Sequence, residues 1–242
     1  MTFRVVHEGQ LTRSFEVRTG VRQGCLLSPL LFLIAIDWVM KQATSERRNG
    51  IQWTLWSQLD DLDFADDLTL LSHSHRQMQD KSSEIQSASA QVGLHIHQGK
   101  TKLLKVNTDC EEPIRMDGEP LEEVDAFTYL GSVVDKQGGT DADVKMRISK
   151  ARGAFIQLRR VWNSGSIGYK TKICLFNSKV KSVLLYGAET WRTTKGTMKK
   201  IQTFVNQCLR RILRIHWPEK IRNTDLWQRT KQQPMEEEIL RR

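Results

Sequence analysis

Two adjacent aspartates, Asp66 and Asp67, are the residues of this chain whose type and spacing most directly suggest chemistry. They follow Phe64 and Ala65 and lie between two segments of alternating apolar and polar residues, which predicts a strand, a turn and a second strand. Carboxylates at such a turn can converge on Mg²⁺, which prefers oxygen ligands and retains water. The pattern predicts a metal site for phosphoryl transfer, and the alternative is an ordinary solvated turn.

A glycine-bracketed loop precedes this turn and leads into a helix. Arg22 and Gln23 carry donors for phosphate and base groups, and Gly24 permits the close approach of a ligand. Ser28 followed by Pro29 is typical of a helix start, so we predict a helix to about residue 45. Its predicted buried stripe comprises Leu30, Phe32, Leu33, Ile36, Val39 and Met40.

Three further segments follow the acidic turn. Helical periodicity predicts a helix over residues 76–92, which Gly93 ends. Residues 94–106 are predicted to be extended and contain Lys100 and Lys102. Residues 127–134 predict another strand and turn.

The order of these motifs resembles that of the reverse transcriptases of non-LTR (LINE-type) retrotransposons. The motifs are Arg22-Gln23-Gly24-Cys25 with Ser28-Pro29, Phe64-Ala65-Asp66-Asp67, Gly93-Leu94 with Lys100-Thr101-Lys102, and Tyr129-Leu130-Gly131. Residues 184–191 look like a later part of the same enzymes, so the resemblance covers nearly the whole chain. It implies an α+β fold. A partial palm, with an antiparallel sheet and helices on one face, would precede a mainly helical, basic thumb.

The resemblance also implies roles for individual residues. Asp66 and Asp67 would hold the catalytic Mg²⁺ ions, with Mn²⁺ as an alternative, and Phe64 and Ala65 would lie near the primer terminus. Lys100 would protonate the leaving pyrophosphate, with Lys102 as the alternative. The remaining residues would bind the incoming dNTP and its template base (Arg22, Gln23 and Gly24) or form the primer grip (Tyr129, Leu130 and Gly131).

A third aspartate of the family's site has no counterpart in the given residues. In the family it lies on a strand several tens of residues before the motif that contains Gly24, and too few residues precede Arg22 here for that strand. Glu8 and Glu16 fall in a predicted hairpin and are in the wrong position to substitute. Because this carboxylate would bridge both metal ions, we expect the polypeptide to be inactive alone and its truncated sheet to be aggregation-prone.

Charge divides the chain into two parts, which we interpret as palm and thumb. Residues 1–140 contain 14 Lys and Arg against 20 Asp and Glu, whereas residues 141–242 contain 23 against 8. A basic, helical region suits contact with the phosphates of an RNA template and DNA primer, and a solvated helical surface is the alternative. Four tryptophans of this region are expected in the core or at its rim, with base stacking as the alternative: Trp162, Trp191, Trp217 and Trp227.

The other signals are weak. The cysteines form no Cys-x-x-Cys pair, which predicts neither a zinc site nor a disulfide framework and suits a reducing intracellular setting, nucleus or cytoplasm. His73 and His75 are predicted to be surface residues. No apolar stretch reaches the roughly 20 residues of a membrane span.

Three functions therefore remain open from the sequence. The first is a portion of a reverse transcriptase that copies RNA into DNA. The second is a non-enzymatic RNA- or DNA-binding remnant that acts through its basic half. The third is a decaying fragment of a mobile element without a cellular role.

Overall fold

A computed structural model describes residues 2–16, 20–21, 24–44, 49–108 and 110–242. The chain forms two compact units, Met1–Val124 and Asp125–Arg242. Both units combine helices with short strand pairs, which confirms the α+β class. The division at residue 140 into palm and thumb concerns function rather than compactness, and it stays a prediction.

The first unit contains two long helices and a series of short strands. The helices are α1 (Ser28–Thr44) and α2 (His75–Gln91), and Gln98–Lys100 forms a 3₁₀ turn. The strands are β1 (Thr2–Phe3), β2 (Val6–His7), β3 (Gln10–Leu11), β4 (Phe15–Glu16), β5 (Ile51–Gln52), β6 (Gln58–Leu59), β7 (Asp61–Phe64), β8 (Asp67–Leu70), β9 (Lys102–Leu103), β10 (Arg115–Met116), β11 (Glu119–Pro120) and β12 (Glu122–Glu123). The antiparallel pairs are β1 with β4, β2 with β3, β5 with β6, β7 with β8 and β10 with β11, and β9 pairs with β12 in parallel.

The core of this unit lies between α1 and α2. Its buried side chains are Ile36, Val39, Met40, Ala43, Ile85 and Ala88. Leu68 and Leu70 of β8 pack against the same cluster, so the two helices support the β7–β8 hairpin from one face. The apolar side chains of α1 are buried only from Ile36 onward. The predicted stripe is therefore wrong at Leu30 and Leu33, which are 55% and 51% exposed.

The second unit is mainly helical. Its helices are α3 (Asp141–Gln157), α4 (Arg159–Asn163), α5 (Tyr169–Leu175), α6 (Ser182–Leu184), α7 (Lys195–Ile212), α8 (Asn223–Thr230) and α9 (Met235–Leu240). A π-helical segment, Phe176–Lys181, joins α5 to α6, and Ala188–Thr190 forms a 3₁₀ turn. Strands β13 (Ala126–Tyr129) and β14 (Ser132–Asp135) form an antiparallel hairpin. The mainly helical structure predicted for the basic region is confirmed, as are the strand and turn predicted over residues 127–134.

An extensive apolar core holds these helices together. Phe155 stacks on Trp162 with ring centroids 5.0 Å apart, and α7 contributes a continuous buried face that includes Ile201 and Leu209. Trp162 and Trp191 are buried, as predicted, whereas Trp217 is 87% exposed. Within the described residues of either unit, the helices are too short or too polar to cross a lipid bilayer.

Candidate active site

The acidic motif forms the tip of the β7–β8 hairpin. Phe64 pairs with Asp67, and Asp63 pairs with Leu68, so Ala65 and Asp66 make a two-residue turn. Ala65 has φ +56°, a left-handed conformation that is costly for a residue with a Cβ atom. Strained backbone of this kind is concentrated at functional turns. The turn confirms the predicted strand, turn and strand.

The hairpin exposes both aspartates. Because pairs alternate between the two faces of a hairpin, Asp67 shares its face with Phe64, opposite the face on which Leu68 packs. Neither the Asp66 nor the Asp67 side chain has a hydrogen-bond or ion-pair partner within the described part of the chain, and both residues are exposed. Two uncommitted carboxylates on adjacent residues are suitable oxygen ligands for Mg²⁺.

A buried lysine fixes the base of this hairpin. The side chain of Lys81, on α2, is 0% exposed. Its ammonium group donates to Asp60 Oδ1 (2.8 Å), to the Asp60 carbonyl (3.0 Å) and to the Leu71 carbonyl (2.9 Å). All three donors of the ammonium are thereby used. Asp60 precedes β7 and Leu71 follows β8, so one cation clamps both ends of the hairpin.

The same region alters the protonation of a neighbouring carboxyl group. Burial raises the pKa of Asp61, and the nearby charges of Asp63 and Asp60 raise it further. Lys81 opposes these effects and lowers the pKa. Asp61 at the base of the hairpin therefore stays protonated to a higher pH than a carboxyl group with an ordinary pKa.

The other predicted site residues of the first unit belong to the glycine loop and to the segment with the two lysines. Arg22 and Gln23 fall outside the described residues, and Gly24 has φ +81°, which favours glycine. Lys100 is exposed at the end of the 3₁₀ turn and has no acidic partner among the described residues. Lys102 forms an ion pair with Glu122. Of the two lysines, Lys100 is thus the one without an acidic partner in the described part of the chain, and its catalytic role stays a prediction.

The proposed primer-grip motif forms the tip of the β13–β14 hairpin in the second unit. Tyr129 pairs with Ser132, and the turn residues Leu130 and Gly131 have φ +46° and +83°. Two side chains hold this tip: Arg147 donates from Nη2 to the Gly131 carbonyl at 2.6 Å, and the Tyr186 hydroxyl donates to the Leu130 carbonyl at 3.1 Å.

The two side chains that hold this tip also contact each other. The Arg147 guanidinium lies 4.4 Å from the centre of the Tyr186 ring. This cation–π arrangement is favourable because the guanidinium faces the negative surface of the ring. Sequence reasoning singled out neither residue for the site.

A buried aspartate connects the β13–β14 hairpin to the segment between α6 and α7. Asp143 accepts from the Val133 amide at 2.9 Å and from Trp191 Nε1 at 2.7 Å. Gly187 has φ +71°, and a Cβ atom there would lie 2.9 Å from Ser132 Oγ. Residues 184–191, which the sequence indicated only through their resemblance to the family, therefore position the β13–β14 hairpin.

A basic groove of about 660 Å³ lies at the end of α7. Its lining includes Arg210, Arg211, Arg214, Asn163 and His216. Arg210 and Arg214 donate to Asn223 and to the Asn163 carbonyl, which orients their guanidinium groups. Arg211 is exposed and has no carboxylate partner in the described residues. Such a groove is suited to an anionic backbone.

Comparison with known proteins gives two family matches. Residues 1–134, more than half of the chain, match the family described as "Reverse transcriptase (RNA-dependent DNA polymerase)". Residues 154–186 match a domain of unknown function, DUF6451. The first match contains the Asp66 hairpin and most of the β13–β14 hairpin.

Individual relatives agree with the first match. A protein of Drosophila melanogaster named "Probable RNA-directed DNA polymerase from transposon BS" is 25% identical over 93% of this chain. A "Retrovirus-related Pol polyprotein from type-1 retrotransposable element R2" of Popillia japonica is 26% identical over 89% of it. A transposon-derived protein of Caenorhabditis elegans is 28% identical over 60%. The chain spans 25%, 31% and 53% of these relatives, respectively. The matches confirm the resemblance that the motifs indicate.

Replacement of Lys81 by Met tests the clamp on the β7–β8 hairpin. The change leaves Asp60 and the Leu71 carbonyl without their buried donor, and we expect the hairpin to lose about 2–3 kcal/mol of local stability. The Leu71 amide, which donates to the Asp60 carbonyl at 2.9 Å, should exchange its hydrogen on the order of a hundredfold faster. The control is Lys41→Met, which removes an exposed ion pair with Asp37 and should leave this amide unchanged. Equal hydrogen-exchange rates of the Leu71 amide in both variants would contradict the proposal that Lys81 holds the hairpin.

Replacement of Arg147 by Met tests the support of the β13–β14 hairpin. The Gly131 carbonyl loses its charged donor, so we expect unfolding of the second unit to require about 2–3 kcal/mol less, measured by urea denaturation with tryptophan fluorescence. Lys145→Met, an exposed change on the same helix, should stay within about 0.5 kcal/mol. A loss no larger than that of the control would mean that Arg147 does not hold the hairpin.

Proposed function

This chain belongs to the reverse transcriptase (RNA-dependent DNA polymerase) family, and on that premise we propose that it supplies part of the active site of a retrotransposon enzyme. The proposed reaction is RNA-templated DNA synthesis, in which the primer 3′-hydroxyl attacks the α-phosphate of a dNTP. The observation that carries the proposal is the pair Asp66 and Asp67. Their side chains are exposed and have no partner among the described residues, at the tip of a strained hairpin that Lys81 anchors.

The proposed role of Asp66 and Asp67 is to hold divalent cations, Mg²⁺ or Mn²⁺. When bound, such ions activate the attacking hydroxyl and stabilise the leaving oxygen. The residues themselves present oxygen ligands from a fixed turn, and Phe64, on the same face as Asp67, offers an apolar surface beside them. Fixed ligands matter because a displacement of about 1 Å at a reacting centre costs much of the rate.

Other residues have proposed roles in binding and proton transfer. Lys100, with its ammonium free of acidic partners in the described residues, would protonate the leaving pyrophosphate. Arg22, Gln23 and Gly24 would contact the dNTP and its template base.

In the second unit, Tyr129, Leu130 and Gly131 would hold the primer end through their backbone. Arg147 and Tyr186, which fix that turn, would act as positioning residues. The proposed setting is intracellular, in the nucleus or the cytoplasm.

Primer extension tests the catalytic proposal. We expect the 242-residue polypeptide to incorporate no dTTP on a poly(A) template with an oligo(dT) primer and Mg²⁺, because it offers only two of the three expected carboxylates. A longer polypeptide that joins this chain to a strand with the third aspartate should incorporate dTTP. In that longer polypeptide, Asp66→Ala should reduce the rate on the order of a hundredfold or more, since a metal ligand is lost.

A matched carboxylate controls for charge and folding. Asp37 is 61% exposed on α1, and among the described residues its ion-pair partner is Lys41, one turn later, so Asp37→Ala should leave the rate unchanged. An equal rate in the Asp66→Ala and unsubstituted polypeptides would overturn the assignment of Asp66. Incorporation by the 242-residue polypeptide, lost in Asp66→Ala, would overturn the expectation that it is inactive alone.

The basic groove favours a second candidate function, non-enzymatic binding of RNA or DNA. Arg210, Arg211 and Arg214 occupy one end of α7, and two of them are pre-oriented by hydrogen bonds. Guanidinium groups held in this way bind phosphate without a large loss of side-chain entropy. We propose that this groove contacts the phosphate backbone of a template–primer duplex. Such contact would also serve the polymerase.

The salt dependence of binding tests this groove. The affinity for an RNA–DNA duplex, measured by fluorescence anisotropy at several KCl concentrations, should fall steeply as salt rises. Arg211→Gln should reduce the slope of log K against log salt by about 0.9, because one phosphate contact is lost.

A charge-matched control separates contact from net charge. Lys199→Gln removes one positive charge on the same helix, roughly 18 Å from Arg211 at the rise of an α-helix. Its slope should equal that of the unsubstituted chain. If both variants reduce the slope equally, binding is diffuse and the groove is not the contact site.

A further inference from the structure

A second cluster of potential metal ligands lies away from the acidic hairpin tip, in the first unit. His75 is the first residue of α2, and Cys110 and Glu112 belong to the segment between β9 and β10. One ligand atom from each side chain lies within 4.8 Å of the other two. Nitrogen, sulfur and carboxylate oxygen therefore meet at one point although their residues are distant in sequence.

The imidazole of His75 lacks the hydrogen bonds that a largely buried ring normally makes. The side chain is 22% exposed, and its Nε2 is buried without a partner in the described residues. Its Nδ1 lies 3.8 Å from Glu112 Oε2, which is too long for a hydrogen bond. Buried polar atoms without a protein partner often have a water molecule or an ion as their partner. The unpartnered Nε2 atom therefore favours a ligand at this ring.

The backbone that carries the other two ligands is fixed without using their side chains. Lys105 donates from Nζ to the Cys110 carbonyl at 2.9 Å and to the Glu112 carbonyl at 3.2 Å. The same ammonium pairs with Glu123 at 3.0 Å, which offsets its charge. The Sγ atom and the carboxylate consequently stay available while their main chain is held.

A pair of hydrogen bonds joins this segment to α2 close to His75. The Gln79 side chain accepts from the Arg115 amide at 2.8 Å and donates to the Arg115 carbonyl at 2.8 Å. Gln79 lies one turn after His75 on the same helix. Both sides of the cluster are therefore held in register before any ion binds.

We propose that His75, Cys110 and Glu112 bind a zinc ion, with water as the fourth ligand. Imidazole, thiolate and carboxylate are the ligands that zinc takes, whereas Mg²⁺ is bound through oxygen alone. Tetrahedral zinc places ligand atoms roughly 3.3–3.8 Å apart, so no pair of these atoms has to approach by more than about 1.5 Å. The ion would join the segment before β10 to the first turn of α2. The proposal is independent of the polymerase function.

Two of the other cysteines, Cys208 and Cys174, provide internal controls. Burial raises the pKa of the Cys208 thiol to about 12, so it does not supply a thiolate near neutral pH. Cys174 is exposed on α5, and among the described residues it belongs to no group of metal ligands.

Cobalt substitution tests the site in the reduced 242-residue polypeptide. Co²⁺ should bind and give a sulfur-to-cobalt charge-transfer band with tetrahedral d–d bands, and Zn²⁺ should displace it. Cys110→Ser should abolish the charge-transfer band, whereas Cys174→Ser should retain it. Asp66→Ala should also retain it, which separates this site from the Mg²⁺ site. A band that survives in Cys110→Ser, or Co²⁺ binding without such a band, would overturn the proposal.

Thermal unfolding gives a second readout. Zn²⁺ should raise the Tm of the unsubstituted chain and of Cys174→Ser, because the ion binds the folded state. Glu112 is 79% exposed, so Glu112→Gln is expected to fold even where Cys110→Ser does not. Glu112→Gln should weaken Zn²⁺ affinity about tenfold or more. An affinity and Tm shift equal to those of the unsubstituted chain would show that zinc binds elsewhere.

Discussion

The ammonium group of Lys81 is the interaction on which the acidic hairpin depends. A fully buried cation is costly to desolvate, and here three acceptors at the two ends of one hairpin offset that cost. The arrangement makes the base of the hairpin rigid while its tip remains exposed. A metal site needs both properties, because the ligands have to be fixed and still accessible to substrate.

The second unit supports its hairpin by the same physical means with different residues. Arg147 is buried at the tip of β13–β14 and donates to the Gly131 carbonyl, as Lys81 donates to carbonyls at the base of β7–β8. Asp143 and Trp191 extend this network into the segment after α6. In each unit a helix therefore inserts one buried cation into a turn or strand end. In the proposed function, the metal ions and the primer end would bind at the exposed surface of these turns.

With the proposed zinc site, helix α2 has three structural roles. The helix carries Lys81 toward the hairpin, Gln79 toward the start of β10 and His75 toward Cys110 and Glu112. An ion at its first turn would restrain the same helix that anchors the acidic motif. Stability of the first unit and geometry of the acidic tip would then be linked through one element.

Much of the local structure could be predicted because it follows from short-range patterns. Alternation around Asp66 and Asp67 predicted the first hairpin, and the pattern of residues 127–134 predicted a second strand and turn. The helical stripe of α1 was predicted correctly from Ile36 onward but not at Leu30 and Leu33, since burial depends on which part of a helix its partner covers. Periodicity gives the face of a helix and not the extent of its contact.

The buried cations were missed for a different reason. Lys81 lies three residues after Met78 and four before Ile85, and Arg147 lies three after Val144 and four before Ala151. Both positions are on the apolar face, and this spacing was the available signal. A charged residue at such a position interrupts the apolar pattern of the helix, and its hydrogen-bond acceptors cannot be identified from spacing. Those acceptors are carbonyl and carboxylate groups of other elements.

The motifs and their order could be read from the sequence and gave the family, because they reside in residue identity and local spacing. Three features required the folded chain: which charged side chains are buried, that Lys102 rather than Lys100 has an acidic partner among the described residues, and that His75, Cys110 and Glu112 meet. The physical reason is that desolvation and ligand geometry depend on atoms brought together from distant parts of the chain. Spacing along the chain does not contain those distances.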